Sequence, residues 1–181
     1  AILDTGYTGD SDRILKGNNT VDDAQRNTED DNGHGTRMAE IVTSMTNDNV
    51  KIMPIKVANK DGFATITSTY AGILYAIEKD VDIINISMNA RVSENSFLLA
   101  DAIKQATDAG IKVIVSAGNR SMDVAKITPS NIPEAIVVSS VDVNGEFAEY
   151  SNYGDTIDYA TYGNYDGVDG TSNAAIRISA M

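Results

Sequence analysis

Short apolar runs rich in isoleucine and valine alternate with segments of helical periodicity, and this alternation constrains the fold more than any other feature of the sequence. The runs cover residues 1–4, 51–57, 81–87, 112–116 and 135–140. Short, nearly continuous apolar runs are typical of strands that are buried on both faces of a parallel sheet.

The segments between these runs carry apolar residues at i, i+3, i+4 and i+7, the spacing of amphipathic helices. The positions are Met38, Ile41, Val42 and Met45 in one segment and Tyr70, Ile73, Leu74 and Ile77 in another. Residues 97–109 form a third helical pattern. Gly110 follows it, at the position just after a helix where a glycine often adopts the left-handed backbone conformation. The alternation predicts an α/β fold with a doubly wound, mostly parallel sheet flanked by helices, and a single domain over residues 1–181.

Three side chains suited to nucleophilic catalysis occur where an apolar segment meets a glycine-flanked turn or a helix start. They are Asp4 in ILDTG, His34 in NGHGT and Ser172 in GTSNAA. His34 is the only histidine in the sequence, and a pKa of about 6.5 suits histidine to act as a general base near neutral pH. Each motif alone also fits a surface turn or a helix cap. Together, in the order Asp, His, Ser, they predict an acyl-transfer site.

These motifs resemble those of the subtilisin-like serine proteases, the subtilases, and the resemblance runs nearly from end to end of the chain. It implies a serine endopeptidase in which Asp4 orients the histidine, His34 is the general base and Ser172 is the nucleophile. The run SAGN resembles the oxyanion-hole segment of the family, with the Asn119 amide and the Ser172 backbone N–H as donors. Such chemistry requires no cofactor.

The resemblance also implies a surface that binds an extended protein or peptide substrate through main-chain hydrogen bonds. Residues 84–87 match the substrate-binding strand of the family, and residues 128–138 and 150–154 are further matches. The substrate-binding residues expected from these matches are Ser87, Met88, Asn89, Ser116, Ala117 and Gly118.

The sequence departs from the family pattern at three positions near the expected site. Asn89 replaces a common glycine, Asn173 replaces the methionine usual after the nucleophile, and Ile176 replaces a usual proline. Asn89 narrows the substrate pocket if its side chain points inward, and changes nothing if it turns to solvent. Because the helical pattern after Ser172 reaches Met181 while still apolar, the domain is expected to be incomplete at its N- and C-terminal ends.

Charge and composition restrict the partners. The 14 Lys and Arg residues against 26 Asp and Glu give a net charge of −12, which disfavours nucleic acids and anionic membranes. No apolar stretch approaches the roughly 20 residues of a membrane span. Without cysteine the chain forms no disulfide. The resemblance implies an extracellular or cell-surface location and a secreted protein, while a cytoplasmic location and the oligomeric state stay open.

Acidic residues near the N-terminus could bind a structural Ca²⁺ ion, but the chain has no clear calcium-binding motif. The stretch from residue 41 to 53 is shorter than in many subtilases, where an inserted loop binds calcium, so no metal ligand is predicted. A solvated acidic loop is the alternative to calcium binding for six aspartates, namely Asp10, Asp12, Asp22, Asp23, Asp30 and Asp31.

Two other functions remain open from the sequence. The changes at Asn89, Asn173 and Ile176 are compatible with a subtilase-like pseudoenzyme that binds or regulates. A non-proteolytic serine hydrolase, such as an esterase, shares the same acyl-enzyme chemistry.

Overall fold

The computed structural model describes residues 1–21 and 27–181, and its central element is a seven-stranded sheet. In chain order the strands of the protein are β1 (Ile2–Asp4), β2 (Asn18–Asn19), β3 (Pro54–Lys56), β4 (Ile83–Ile86), β5 (Ala90–Arg91), β6 (Lys112–Ser116), β7 (Ile127–Thr128), β8 (Ile136–Val141), β9 (Ile157–Tyr162), β10 (Asn164–Tyr165) and β11 (Val168–Asp169). The sheet has the order β2-β3-β1-β4-β6-β8-β9. Every pairing in it is parallel, which confirms the predicted fold class.

Each predicted apolar run contains one strand of the sheet, whereas β2 and β9 were not predicted. β2 consists of two asparagines, and β9 is an edge strand whose residues are mostly exposed, so neither has an apolar run. Outside the sheet, β5 pairs with β7 and β10 with β11, both antiparallel.

In the described residues, four α-helices cover the two faces of the sheet: α1 (His34–Met45), α2 (Ile66–Glu78), α3 (Phe97–Asp108) and α4 (Thr171–Ser179). All four overlap helical patterns predicted from the sequence. Gly110, just after α3, has the expected left-handed backbone with φ of +86°. Within the described residues, no helix has the length and apolar character needed to cross a bilayer.

Side chains of the strands alternate between two cores, as the two-residue period of a strand requires. In β1, Leu3 packs in the core that also contains residues of α2 and α3, whereas Ile2 packs with residues of α1 and α4. In β6, Val113 and Val115 face the α2–α3 side and Ile114 faces α4. Each fully buried aliphatic side chain stabilises the fold by about 1.5–3 kcal/mol, so the sheet is a rigid support for the residues at its edge.

The polar residues of interest lie at one edge of this sheet. Asp4 ends β1, Ser116 ends β6, and Ser87 follows β4 directly. Since the strands are parallel, their carboxyl ends meet at the same edge, where ligands bind in open α/β sheets. The first turns of α1 and α4 bring His34 and Ser172 to the cavity at this edge.

Candidate active site

Asp4 and His34 form a close pair at the end of β1. Nδ1 of His34 lies 2.7 Å and 2.9 Å from the two carboxylate oxygens of Asp4. An ionised carboxylate only accepts hydrogen bonds, so Nδ1 carries the proton and Nε2 is left as the basic nitrogen. Asp4 is 1% exposed and also accepts a hydrogen bond of 2.7 Å from the backbone N–H of Thr5. The carboxylate is therefore fixed in place and fixes the imidazole in turn.

Gly35 allows the start of α1 to approach β1 this closely. A Cβ atom at Gly35 would overlap the carbonyl oxygen of Gly6 and lie 3.1 Å from Cβ of Asp4. The backbone N–H of Gly35 also donates to Oγ1 of Thr5 at 2.9 Å. The glycine after His34 is thus required by space, because any side chain there would separate the histidine from its carboxylate.

The pKa of His34 is raised above its usual value. Burial alone lowers this pKa, but the charge of Asp4 and its hydrogen bond to the ring raise it, and the net direction is upward. The position of His34 at a helix start leads us to expect the opposite direction, since the positive end of the helix disfavours an imidazolium. The charge of Asp4 and its direct hydrogen bond to the ring outweigh burial and the charge of Arg37, both of which lower this pKa.

Asp30 organises the loop that leads into α1, a role that the sequence did not predict. Its Oδ1 accepts hydrogen bonds from the backbone N–H groups of Asn32 (3.1 Å) and Gly33 (2.8 Å). Its Oδ2 accepts from the N–H (2.9 Å) and the hydroxyl (2.6 Å) of Thr36. Burial raises the pKa of this carboxyl, but these donors outweigh burial and lower the pKa to about 2.

Of the other candidate calcium ligands in the described residues, Asp31 is engaged in an ion pair. Asp31 pairs with the buried Lys56, whose ammonium lies 2.6 Å from Oδ1 of Asp31 and 2.6 Å from the carbonyl oxygen of Thr5. Asp22 and Asp23 lie outside the described residues. Within residues 1–21 and 27–181, no group of three or more His, Cys, Asp or Glu side chains is arranged to hold a metal ion.

Ser172 lies in the first turn of α4 and borders the same cavity as His34 and Asn119, a cleft of about 490 Å³. Ser172 is only 8% exposed. As a first-turn residue it also has a backbone N–H with no acceptor inside the helix. His34, Asn119 and Ser172 thus border one cleft.

Asn119 is held in one orientation by Thr171, the residue before Ser172. Oδ1 of Asn119 accepts hydrogen bonds from the backbone N–H and the hydroxyl of Thr171, both at 2.8 Å. The hydroxyl of Thr171 in turn accepts from the N–H of Gly118 at 3.0 Å. Since the carbonyl oxygen of the Asn119 amide is fully used, its NH₂ group is the part available to the cleft. The role of Thr171 in orienting this amide was not predicted from the sequence.

The structure separates the six expected substrate-binding residues into two groups. Ser87, Met88, Asn89 and Gly118 line the cleft together with His34 and Ser172. Ser116 and Ala117 are fully buried behind its wall. Phe63, which was not predicted from the sequence, is 75% exposed and lines the cleft from the loop before α2. An exposed phenylalanine after the turn residues Asp61 and Gly62 was the available signal.

The two departures from the family pattern that follow Ser172 are both buried. Asn173 is 2% exposed, and its amide NH₂ donates to the carbonyl oxygens of Gly163 (2.9 Å) and Val168 (2.8 Å). It thereby ties the start of α4 to the β10–β11 hairpin. Ile176 is 1% exposed and packs in the core beside α1. Neither side chain enters the cleft.

The chain is similar to known proteins over its entire length. The model of the subtilase family matches residues 1–181. An intracellular serine protease from Paenibacillus polymyxa is 34% identical over 84% of this chain and 52% of its own length. A thermostable alkaline protease from Halalkalibacterium halodurans is 29% identical over 84% of this chain and 44% of its own length.

The crystal structure of a cold-adapted subtilisin-like serine proteinase superimposes with a TM-score of 0.87 and 25% sequence identity, over 99% of this chain and 71% of the other. The chain spans about half the length of the curated relatives that it matches. The fold, the order of the motifs and the match over the full chain agree, and the chain belongs to the subtilase family.

Proposed function

We propose that this chain carries the catalytic site of a serine endopeptidase, which hydrolyses peptide bonds through an acyl-enzyme. The observation that carries the proposal is the contact of His34 Nδ1 with both carboxylate oxygens of Asp4, on the wall of a cleft that Ser172 also borders. Serine proteases among the relatives support the same reaction class.

In the proposed mechanism, the Ser172 hydroxyl attacks the scissile carbonyl and transfers its proton to Nε2 of His34. The same proton then passes to the leaving amine, which departs and leaves an acyl-enzyme that water hydrolyses by the same steps. Asp4 stays ionised and stabilises the imidazolium that forms. The oxyanion accepts hydrogen bonds from the Asn119 amide and the Ser172 backbone N–H.

The proposed substrate is an extended protein or peptide that lies beside Ser87, Met88 and Asn89, the residues that follow β4 along the cleft. The net charge of −12 argues against nucleic acid as a partner. We propose secretion on the basis of the family resemblance. One relative is named as an intracellular protease, so either location is compatible with the family.

Labelling with a fluorophosphonate, followed by turnover of matched peptide and ester substrates, tests the proposal. We expect one equivalent of label on Ser172, none on Ser172→Ala, and hydrolysis of both substrates by the unmodified protein. A protein that does not label at all is a pseudoenzyme. A protein that labels and cleaves only the ester is a non-proteolytic serine hydrolase.

A further inference from the structure

The side chain of Asn89 crosses the gap between the ends of β4 and β6. Its amide NH₂ donates to the carbonyl oxygen of Ser116 at 2.8 Å and to the hydroxyl of Ser130 at 3.1 Å. Its Oδ1 accepts a hydrogen bond of 3.1 Å from the hydroxyl of Ser116. The hydroxyl of Ser130 also donates to the carbonyl oxygen of Ser116, at 2.9 Å. Both serines are fully buried, so the asparagine closes a satisfied polar network.

This network lies next to the proposed oxyanion donor. A Cβ atom at Gly118 would lie 3.4 Å from Oδ1 of Asn89, and Gly118 directly precedes Asn119. Asn89, Gly118 and Ser172 all border the same cleft. The amide of Asn89 therefore occupies the part of the cleft between the substrate-binding segment and the backbone that leads into Asn119.

In the proposed binding mode, a peptide places one side chain in this region. If its carbonyl group meets Ser172 and Asn119 while its backbone follows Ser87–Asn89, the side chain of that same residue projects between the ends of β4 and β6. A large side chain can enter only by displacing the Asn89 amide, which would leave the buried hydroxyl of Ser116 without an acceptor. An unpaired buried polar group is costly, so the network resists opening.

We infer that Asn89 determines specificity by selecting a small residue (glycine, alanine or serine) on the acyl side of the scissile bond. This inference rests on the proposed function. The residue acts by filling the pocket with a hydrogen-bonded amide. Large aromatic residues at that position are disfavoured by roughly 10- to 100-fold in kcat/KM, the range expected when one group does not fit a pocket.

The test compares two peptides that differ only in alanine or phenylalanine on the acyl side of the scissile bond. For the unmodified protein we expect kcat/KM to favour the alanine peptide by about 10- to 100-fold. Asn89→Gly and Asn89→Ala should each reduce this ratio at least about tenfold by raising kcat/KM for the phenylalanine peptide. Two substitutions at the same position guard against an effect of glycine on the backbone.

Two control variants complete the design. Ser130→Ala keeps the Asn89 side chain and its bonds to Ser116, so the preference for alanine should persist. Asn144→Gly makes the same change in an exposed turn and should leave the ratio unchanged. Turnover with the same preference in the unmodified protein and both Asn89 variants overturns this inference alone. No turnover of either peptide and no fluorophosphonate labelling overturn the proposed function and this inference with it.

Discussion

Thr171 donates two hydrogen bonds of 2.8 Å to a single atom, Oδ1 of Asn119, although 52 residues separate the two in sequence. One bond comes from the backbone and the other from the hydroxyl, so the amide of Asn119 has a single preferred flip state. The residue beside the proposed nucleophile thereby sets the direction of the proposed oxyanion donor. The two parts of the site are coupled through one threonine.

Replacing Thr171 with valine should remove both hydrogen bonds of the hydroxyl, the one donated to Oδ1 of Asn119 and the one accepted from the N–H of Gly118, and leave the backbone bond to Asn119. Each such bond contributes about 1 kcal/mol, so we expect kcat to fall roughly 5- to 10-fold or more with KM nearly unchanged. Thr171→Ser keeps the hydroxyl and should retain most of the activity. Steady-state kinetics on one peptide measures both variants. Equal losses in the valine and serine variants would assign Thr171 a packing role only.

Substitution of Asn119 itself should have a larger effect. Its amide gains importance only when negative charge develops on the carbonyl oxygen, so Asn119→Leu should lower kcat about 10²- to 10³-fold while KM stays nearly constant, a magnitude known from a subtilisin. The measurement is kcat and KM on a single peptide substrate. A variant that binds substrate poorly but retains its turnover number would place Asn119 outside the oxyanion site.

Ser172 and His34 should behave as one unit. Ser172→Ala and His34→Ala should each lower kcat by about 10⁶, and the double variant should lose little more, as in a subtilisin. The measurement is turnover by the three variants, with circular dichroism to confirm that each is folded. Losses that simply multiply in the double variant would contradict a shared catalytic step.

The pH dependence should follow the raised pKa of His34. The base must be neutral, so kcat/KM should rise with pH and reach its plateau above the usual histidine range near 6.5. Asp4→Asn removes the carboxylate that raises this pKa, so the midpoint should move to lower pH while kcat falls about 10⁴-fold. A pH–rate profile of both proteins checks the direction. If the midpoint of the pH–rate profile were the same in Asp4→Asn and the unmodified protein, the titrating group would not be His34.

The pH dependence of folding stability should reflect His34 and Asp30, which act in opposite directions. The raised pKa of His34 stabilises the fold below pH 6.5, and this contribution is lost as pH rises through the folded value. The pKa of Asp30, lowered from 3.8 to about 2, stabilises the fold above pH 3.8, and this contribution is lost as pH falls towards 2.

The free energy of unfolding should fall less steeply in Asp30→Asn between about pH 4 and 2, the acid limb of the stability curve, because the Asp30 contribution titrates there. The half-buried carboxylate is screened by solvent, so the loss at neutral pH should be about 1 kcal/mol. Urea unfolding at several pH values measures the change. The exposed Asp48→Asn is the matched control and should keep the acid limb. Parallel curves for Asp30→Asn and the unmodified protein would contradict the assigned role.

The sheet was predictable because its inner strands are buried on both faces and therefore have apolar sequences. The edge strand β9 was not predicted, because its residues are mostly exposed and form no apolar run. The carboxyl ends of β1 and β6 followed from the apolar runs, and with them the general location of Asp4 and Asn119. That inference needs only local patterns and the geometry of a parallel sheet.

The finer contacts were not predictable because they join segments that are far apart in the chain. Asn89 could point inward or to solvent by sequence alone, and its contacts with Ser116 and Ser130 depend on how β4, β6 and the segment after β7 come together. Asp30 was grouped with calcium candidates, although its position before Gly33 and Thr36 fits an acceptor for helix-start N–H groups. Local motifs therefore indicate where a residue lies along the sheet edge better than what its side chain contacts.

His34 gives the protein a built-in spectroscopic reporter. Because it is the only histidine among these 181 residues, every imidazole signal that this stretch of chain gives in a nuclear magnetic resonance spectrum comes from this one ring. The proton shared between its Nδ1 and Asp4 should produce an isolated, strongly downfield resonance. Ligand binding, acylation of Ser172 and changes of pH can all be followed on that single line, without isotope assignment and without introducing a probe.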